Sequence, residues 1–469
     1  MLTRTPLLKL LMVLLALCSS NVYASSLNSS INALLNRESD DEQIGIYIQN
    51  ADTGRVLYNN NGSSPMTPAS TTKVFTSAAA YLYLGPNYQY ATSISTKAPL
   101  ANTLKGNLYV SFSGDPTLSS LDINNLIQQL KQKGVNTIAG NVVVDQRAFN
   151  GPYYGLGWPQ DDLAYCYAAP ISAAIINGNC MALKIIKVRG QETPVIKQYT
   201  THFPVVNQLK LVGRSALRTC VFQPSVTSTN TIVLQGCLPA KGEWDIAFAI
   251  KNPDLYARQV IAVALQRAGI KVTGKVIDAA TPSGTNLIAV HYSNSLRNIL
   301  SYMLKHSDNI YAGAISKTLG DAYYGIGSYK SGVNAINATL TTHIGSGFKP
   351  VYLEDGAGLS VYNMVSPKQL VQVLNYMYHQ PALSKVFMNS LAISGRIGTL
   401  SYRMTKPPLL GHVYGKTGTI NGVSTLSGYI ALPGHPVITF AIMMNRIEGK
   451  PDHARYLQDK IVQMIAAFT

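Results

Sequence analysis

The chain has 469 residues, 46% of them hydrophobic, with 38 Lys+Arg against 22 Asp+Glu. That balance excludes a disordered or collagen-like chain and a disulfide-knot miniprotein, and at roughly 150 residues per domain the length suggests two or three compact units. The net charge of +16 is spread over a chain only 13% charged, without the Lys/Arg run of a nucleic-acid arm. It therefore points to polyanionic surroundings, and no nucleic-acid partner is expected.

Arg4 and Lys9 precede an apolar run from Leu10 to Leu17, and Val22-Tyr23-Ala24 offers small residues at cleavage positions. This reads as a secretory signal peptide over 1–24, with the mature chain starting near Ser25. A lipid anchor at Cys18 is disfavoured by the bulky Leu17 before it. The apolar run is too short to cross a bilayer and no later stretch reaches roughly 20 apolar residues, so membrane contact is at most peripheral.

Ile44 to Ile48 and Val56 to Tyr58 flank Asp52-Thr53-Gly54 and read as a hairpin. Pro68 to Leu84, rich in alanine and stopped by Gly85-Pro86, reads as a buried helix. From about Tyr90 to Ala289 short β-type runs dominate, with one helix at Asp254 to Ala268. Leu296, Ile299, Leu300, Met303 and Leu304 then fall on one face of a helix from Asn294 to Lys305. Two β runs, Val423 to Leu432 and Val437 to Met444, and a helix from about His453 close the chain. The pattern predicts one α/β (α+β) domain built from both ends of the chain around a large β-rich insertion.

Beyond the signal peptide the cysteines are Cys166, Cys180, Cys220 and Cys237, an even set in a chain bound for an oxidising compartment. Of three connectivities, the local pairs 166–180 and 220–237 are favoured because each closes a short loop. No C-x-x-C pair occurs and no two histidines lie within four residues, so no zinc site is expected.

Chemistry enters at Ser70-Thr71-Thr72-Lys73. Residues three apart share a helix face, which brings a hydroxyl within reach of an amine. Serine needs a base, and a lysine serves as one when burial or a nearby positive charge lowers its pKa. A second match, Ser346 to Lys349, sits in a glycine-rich stretch with no helix to align it and reads as accidental. Ser307-Asp308-Asn309 follows the amphipathic helix, and Lys416-Thr417-Gly418 precedes a β run. Singly, the first triplet is an ordinary helix cap and the second an ordinary turn. Together and in this order, S-x-x-K, S-D-N and K-T-G are the pattern of class A β-lactamases and penicillin-binding proteins.

An acyl-transfer site needs a nucleophile, a base, a proton path and oxyanion donors. Ser70 and Lys73 supply the first two. Ser307 can relay a proton to the departing nitrogen, while Asn309 offers its amide to Lys73 or to substrate backbone. Lys416 would attract a terminal carboxylate and help lower the Lys73 pKa. Gly418 would keep the strand edge clear, and the Ser70 and Thr419 backbone amides would form the oxyanion hole. No G-x-S-x-G elbow is present to favour another hydrolase class.

The mature chain also resembles the class C low-molecular-mass penicillin-binding proteins, D-alanyl-D-alanine carboxypeptidases/endopeptidases of the penicillin-binding protein 4 type. The gap from Ser70 to Ser307 is 237 residues, far longer than in class A β-lactamases, and no Glu-x-x-Leu-Asn segment resembles their deacylation site. Ser113 to Leu118, Gly157 to Leu163 and Asp355 to Ser360 look like the same family. The resemblance implies a transpeptidase-type domain over 25–89 and 290–469, an inserted domain II over 90–181 and 246–289, and a nested domain III over 182–245. It also implies that Asp162, Tyr167 and Asn421 hold the free amino-acid end of a peptidoglycan side chain beside Thr417, Gly418 and Thr419. Two positions depart from the family. Val361 stands where an arginine is common, and Ile397 replaces a usual aspartate, with Arg396 nearby.

The expectation is thus a periplasmic serine hydrolase acting on D-Ala-D-Ala ends or D-alanyl cross-links, acylated by β-lactams and needing neither metal nor organic cofactor. The alternatives are a β-lactamase or esterase with the same motifs and a catalytically silent wall-binding protein. A homodimer stays open.

Overall fold

The computed structural model describes residues 27–38, 42–188, 191, 193–198, 203–447 and 449–468; the expected signal peptide lies outside them. Helix α1 covers 27–38. Strands β1 (Gln43–Asn50) and β2 (Val56–Asn60) form the expected hairpin. The next element differs from the single helix expected from Pro68: Ala69–Thr72 is a 3-10 turn, and α2 runs from Lys73 to Tyr83. Ala69 itself, with φ +47°, lies outside the right-handed helical region, so the α-helix does not begin at Pro68.

The chain then leaves this unit. Strands β3 (Ala91–Thr96), β4 (Thr103–Leu104) and β5 (Leu108–Ser111) lead to α3 (Ser120–Gln132), followed by β6 (Thr137–Ile138) and β7 (Val142–Asp145). Helix α3 was not expected. Its start is written in the sequence, since Ser119 and Asp122 form a reciprocal capping box ahead of a buried stripe of Ile123, Leu126, Ile127 and Leu130. Strands β8 (Cys180–Ile186), β9 (Val195–Gln198), β10 (Val205–Val212), β11 (Gln223–Val226), β12 (Ile232–Pro239) and β13 (Glu243–Ala249) come next. Helix α4 (Pro253–Arg267) matches the expected helix, and β14 (Lys271–Val272), β15 (Val276–Asp278) and β16 (Asn286–Tyr292) complete the excursion. These strands form a five-stranded sheet in the order β15-β7-β5-β3-β16 and three sheets of three strands, β14-β6-β4, β13-β8-β9 and β10-β12-β11. Both local disulfides are present, Cys166–Cys180 and Cys220–Cys237.

The return is helical: α5 (Leu296–His306), α6 (Asn309–Tyr324), α7 (Tyr329–Ile344), α8 (Pro367–Tyr378) and α9 (Ser384–Ser390). Strands β17 (Ala392–Ile393), β18 (Val413–Ile420), β19 (Val423–Ile430) and β20 (Ile438–Asn445) then precede α10 (Pro451–Ala467). The two chain ends meet in one six-stranded sheet, β17-β18-β19-β20-β1-β2, where β1 pairs with β20 from Gln43–Asn445 to Asn50–Ile438. Every residue of β19 and β20 is buried, as a sheet covered on both faces requires. Ile44, Ile46 and Ile48 pack with α1 and α10 on one face, and Tyr47 packs with α2, α5 and α8 on the other, following the alternation of a strand. At about 1.5–3 kcal/mol for each fully buried large aliphatic side chain, these two layers make the sheet a rigid base for the groups on its β18 edge.

Candidate active site

The Ser70 turn is held from several sides. The Pro68 carbonyl accepts hydrogen bonds from Thr71 Oγ1 at 2.7 Å and from Thr425 Oγ1 of β19 at 2.8 Å, and Thr72 Oγ1 donates to the Ala69 carbonyl at 2.8 Å. Two glycines let neighbouring backbone press against it. A Cβ on Gly418 would stand 2.8 Å from Pro68 O and 3.0 Å from Ser70 N, and one on Gly358 would stand 2.9 Å from Ser70 N and closer still to Ala69 O. The expected role of Gly418 is thereby corrected: its missing side chain faces inward, towards Thr425 and the Ser70 turn, so it allows β18 to approach Ser70 rather than clearing an outer edge.

Lys73, fully buried, donates to Ser70 Oγ at 3.1 Å, Asn309 Oδ1 at 2.6 Å and the Ala357 carbonyl at 2.6 Å. Three partners match the three protons of an ammonium group. Burial lowers its pKa to about 7, against the opposing pull of Asp355 and Asp308. Burial is the main cause, and the expected repulsion between the two amines is present in the site. The Lys416 amine is pushed well below its ordinary value by burial and by Lys73. Lys416 donates to Ser307 Oγ at 2.8 Å and to the Thr417 carbonyl at 2.6 Å.

The Ser-Asp-Asn triplet is a corner between two helices. Ser307 ends α5 with φ +60°, in the left-handed region, and Asp308 caps α6 by accepting from the Ile310 and Tyr311 amides at 2.9 and 3.0 Å. Burial raises the Asp308 carboxyl pKa. A non-glycine residue held at positive φ costs of order 1 kcal/mol or more and persists only where its surroundings enforce it. Both Ala69, the residue before Ser70, and Ser307 itself are in that state.

Asn309, the first residue of α6, uses both ends of its amide: Oδ1 faces Lys73 and Nδ2 donates to the Tyr167 carbonyl at 2.9 Å. The segment around Tyr167 therefore reaches the Ser-Asp-Asn corner and, through Asn309, Lys73. Tyr167 also donates its hydroxyl to Asp162 Oδ1 at 2.7 Å and stacks on Tyr165, with centroids 5.8 Å apart. Burial, then Asp162, pushes the Tyr167 hydroxyl pKa up. Thr417 donates to Thr399 Oγ1 at 2.8 Å, and Thr419 is exposed one residue past Gly418. Asn421 lies exposed in the turn between β18 and β19, where no hydrogen bond joins it to the lysine–serine cluster. Val361 and Ile397 are both exposed. The second S-x-x-K match, Ser346 to Lys349, lies in the bend after α7 and outside any helix.

Residue-by-residue reasoning gave no role to the loop that closes the floor of the site. Asp355, wholly buried, accepts from Trp158 Nε1 at 2.7 Å and from the amides of Ala357, Gly358 and Ser360 at 2.9, 2.6 and 2.8 Å. This carboxylate folds 355–360 so that the Ala357 carbonyl meets Lys73 and Gly358 meets the Ser70 turn. Its two closely spaced glycines after an aspartate were the available signal. A groove of ≈ 720 Å³ flanks the corner at Ser307, Asp308 and Asn309, with Cys166, Tyr167 and Tyr302 among its walls.

The chain matches the model of the D-Ala-D-Ala carboxypeptidase 3 (S13) family over residues 27–468. It is 31% identical to the D-alanyl-D-alanine carboxypeptidase DacB of Haemophilus influenzae, over 89% of this chain and 88% of that protein. It is 28% identical to the D-alanyl-D-alanine carboxypeptidase of an Actinomadura species, over 96% and 86%. The crystal structure of penicillin binding protein 4 (dacB) from H. influenzae superposes with a TM-score of 0.87 at 30% identity, over 94% of this chain and 99% of that one. The same protein complexed with a β-lactam superposes with a TM-score of 0.81 at 28% identity. The architecture is accordingly that of a penicillin-binding protein with a large β-rich insertion, and the chain belongs to the D-Ala-D-Ala carboxypeptidase 3 (S13) family of serine peptidases.

Proposed function

We propose that the chain hydrolyses D-Ala-D-Ala termini, or D-alanyl cross-links, of peptidoglycan peptides through an ester on Ser70, and that β-lactams acylate the same hydroxyl. Neutral Lys73 takes the Ser70 proton as Oγ bonds to the D-alanyl carbonyl carbon. The negative oxygen is met by the backbone amides of Ser70 and Thr419. Collapse breaks the C–N bond, and the proton passes through Ser307 to the departing nitrogen. Water, deprotonated in turn, then splits the ester and restores the serine.

Lys416, with Thr417 and Thr419, receives the substrate's terminal carboxylate, whose charge favours the protonated amine. Gly418 lets the strand approach, and Asp162, Tyr167 and Asn421 bind the free amino-acid end of the peptide side chain. A carboxylate facing an ammonium group is a natural selector there. Residues 90–181 with 246–289, and 182–245 nested within them, form the insertion that brings Asp162 and Tyr167 to the cleft. The setting is the periplasm; among the described residues no helix is long and apolar enough to cross a membrane.

The observation that carries this reading is the convergence of three distant segments, with Lys73 Nζ on both Ser70 and Asn309 and Lys416 Nζ on Ser307. Purified protein should release D-alanine from a monomeric pentapeptide and stay covalently labelled by fluorescent penicillin for minutes, while Ser70→Ala does neither. Rapid turnover of nitrocefin would assign a β-lactamase instead, and products from a cross-linked dimer, identified by mass, apportion endopeptidase activity.

A further inference from the structure

Lys317 is a buried amine that the proposed reaction does not use. It lies on α6, 1% exposed, and donates to the Pro152 and Ile171 carbonyls at 2.9 and 2.8 Å, with the rings of Tyr329 and Phe149 at 4.5 and 5.7 Å. Those carbonyls sit at the two ends of the stretch 152–171, which carries Asp162 and Tyr167. The same neck is tied by the Ile171 amide to the Tyr153 carbonyl at 2.9 Å, and by the Tyr329 hydroxyl to that carbonyl at 3.1 Å.

Helix periodicity places Asn309, Gly313 and Lys317 on one face of α6, and each meets this segment. Asn309 holds the Tyr167 carbonyl. Gly313 is bare where Ile171 packs, since a Cβ there would stand 2.8 Å from Ile171 Cγ1. Lys317 holds the neck. The Tyr167 carbonyl in turn accepts from the amide nitrogen of Asn309, which leaves the amide oxygen for Lys73; an amide turned over would present donors to an ammonium group.

We infer that Lys317 is a positioning residue: by clasping both ends of segment 152–171 onto α6, it keeps the Tyr167 carbonyl on Asn309 and so keeps the Asn309 oxygen on Lys73. This rests on the reading of Lys73 and Asn309 as catalytic groups. Its cost of construction is a desolvated amine, whose pKa burial lowers to about 7 and whose donors meet two carbonyls beside two ring faces.

The test is Lys317→Met in the full-length protein, compared with the parent by thermal unfolding, hydrogen exchange over 153–170, and the pH dependence of acylation by fluorescent penicillin. The clasp predicts a folded protein with faster exchange in that segment and acylation slowed about ten- to a hundredfold, as small misplacements of reacting groups cause. It also predicts that the acid limb moves to lower pH. Asp355, Asp308 and Lys416 remain around Lys73 while the carbonyl-like acceptor that favours its charged form is loosened.

Unchanged exchange overturns the clasp. So does slower acylation with the limb in place, which marks a purely structural residue. Should Lys317→Met fail to fold, Gly313→Ala, which pushes Ile171 from the same face, is read by the same measurements and the same criteria. A parent protein that is not acylated at all defeats the enzymatic reading, and the exchange measurement then judges the clasp separately.

Discussion

Gly358→Ala isolates the contribution of backbone fit to the nucleophile. Gly358 holds φ +84°, so alanine there meets a left-handed penalty of about 1–2 kcal/mol before any contact is considered. The new Cβ would stand 2.9 Å from Ser70 N, whereas ordinary contact begins at 3.4 Å. The Ser70 amide must retreat by about half an ångström, and the Ala69 carbonyl, which is closer, by more. The Ser70 amide is also a proposed oxyanion donor, and the Ser70 hydroxyl the proposed nucleophile. Displacements approaching 1 Å cost about a hundredfold in rate, or about 2.7 kcal/mol of barrier. The variant should therefore keep its fold, with a lowered melting temperature, and lose about a hundredfold in the second-order rate of penicillin acylation and in kcat/KM on a pentapeptide. Acylation within threefold of the parent would show that the Ser70 turn does not depend on this glycine, and the account of how the loop at 355–360 shapes the site would fail.

Because burial brings Lys73 to about 7, its neutral form grows with pH, and acylation at pH 6 should run about tenfold below its alkaline plateau; a flat profile between pH 6 and 8 would remove Lys73 as the base. Ser307→Ala takes the hydroxyl from Lys416 and breaks the proton path, so acylation should fall by about a hundredfold in a folded protein, and a loss below threefold would assign the relay elsewhere. Replacing Cys166 and Cys180 together by serine opens a loop of sequence separation 14 and should cost about 3 kcal/mol. Thermal unfolding reads that loss, and an unshifted transition would contradict it.

The S-x-x-K spacing, the Ser-Asp-Asn corner and the Lys-Thr-Gly strand were legible because each is local chemistry: a helix face, a cap and a strand start. The disulfides were legible for the same reason, since each closes a short loop. Helix α3 was missed although its capping box was present, because a polar, glutamine- and asparagine-rich stretch hid the apolar stripe. Where a group depends on partners remote in the chain, local reasoning misjudged it. The inward face of Gly418 follows from Thr425 and Pro68, and the depressed Lys73 pKa follows chiefly from its enclosure.

The amino-acid order by itself determined which chemistry is present: a hydroxyl, two amines and an amide in three short segments, with enough β-rich chain between them for an insertion. Only the tertiary structure decided that these groups meet, because two chain ends had to pair as β1 and β20 before β18 could lie beside the Ser70 turn. It also showed where two buried groups find partners: Asp355 in the amides of its own loop and the indole of Trp158, and Lys317 in the remote carbonyls of Pro152 and Ile171. A buried charge carries no local pattern, since what stabilises it is the geometry of the groups around it.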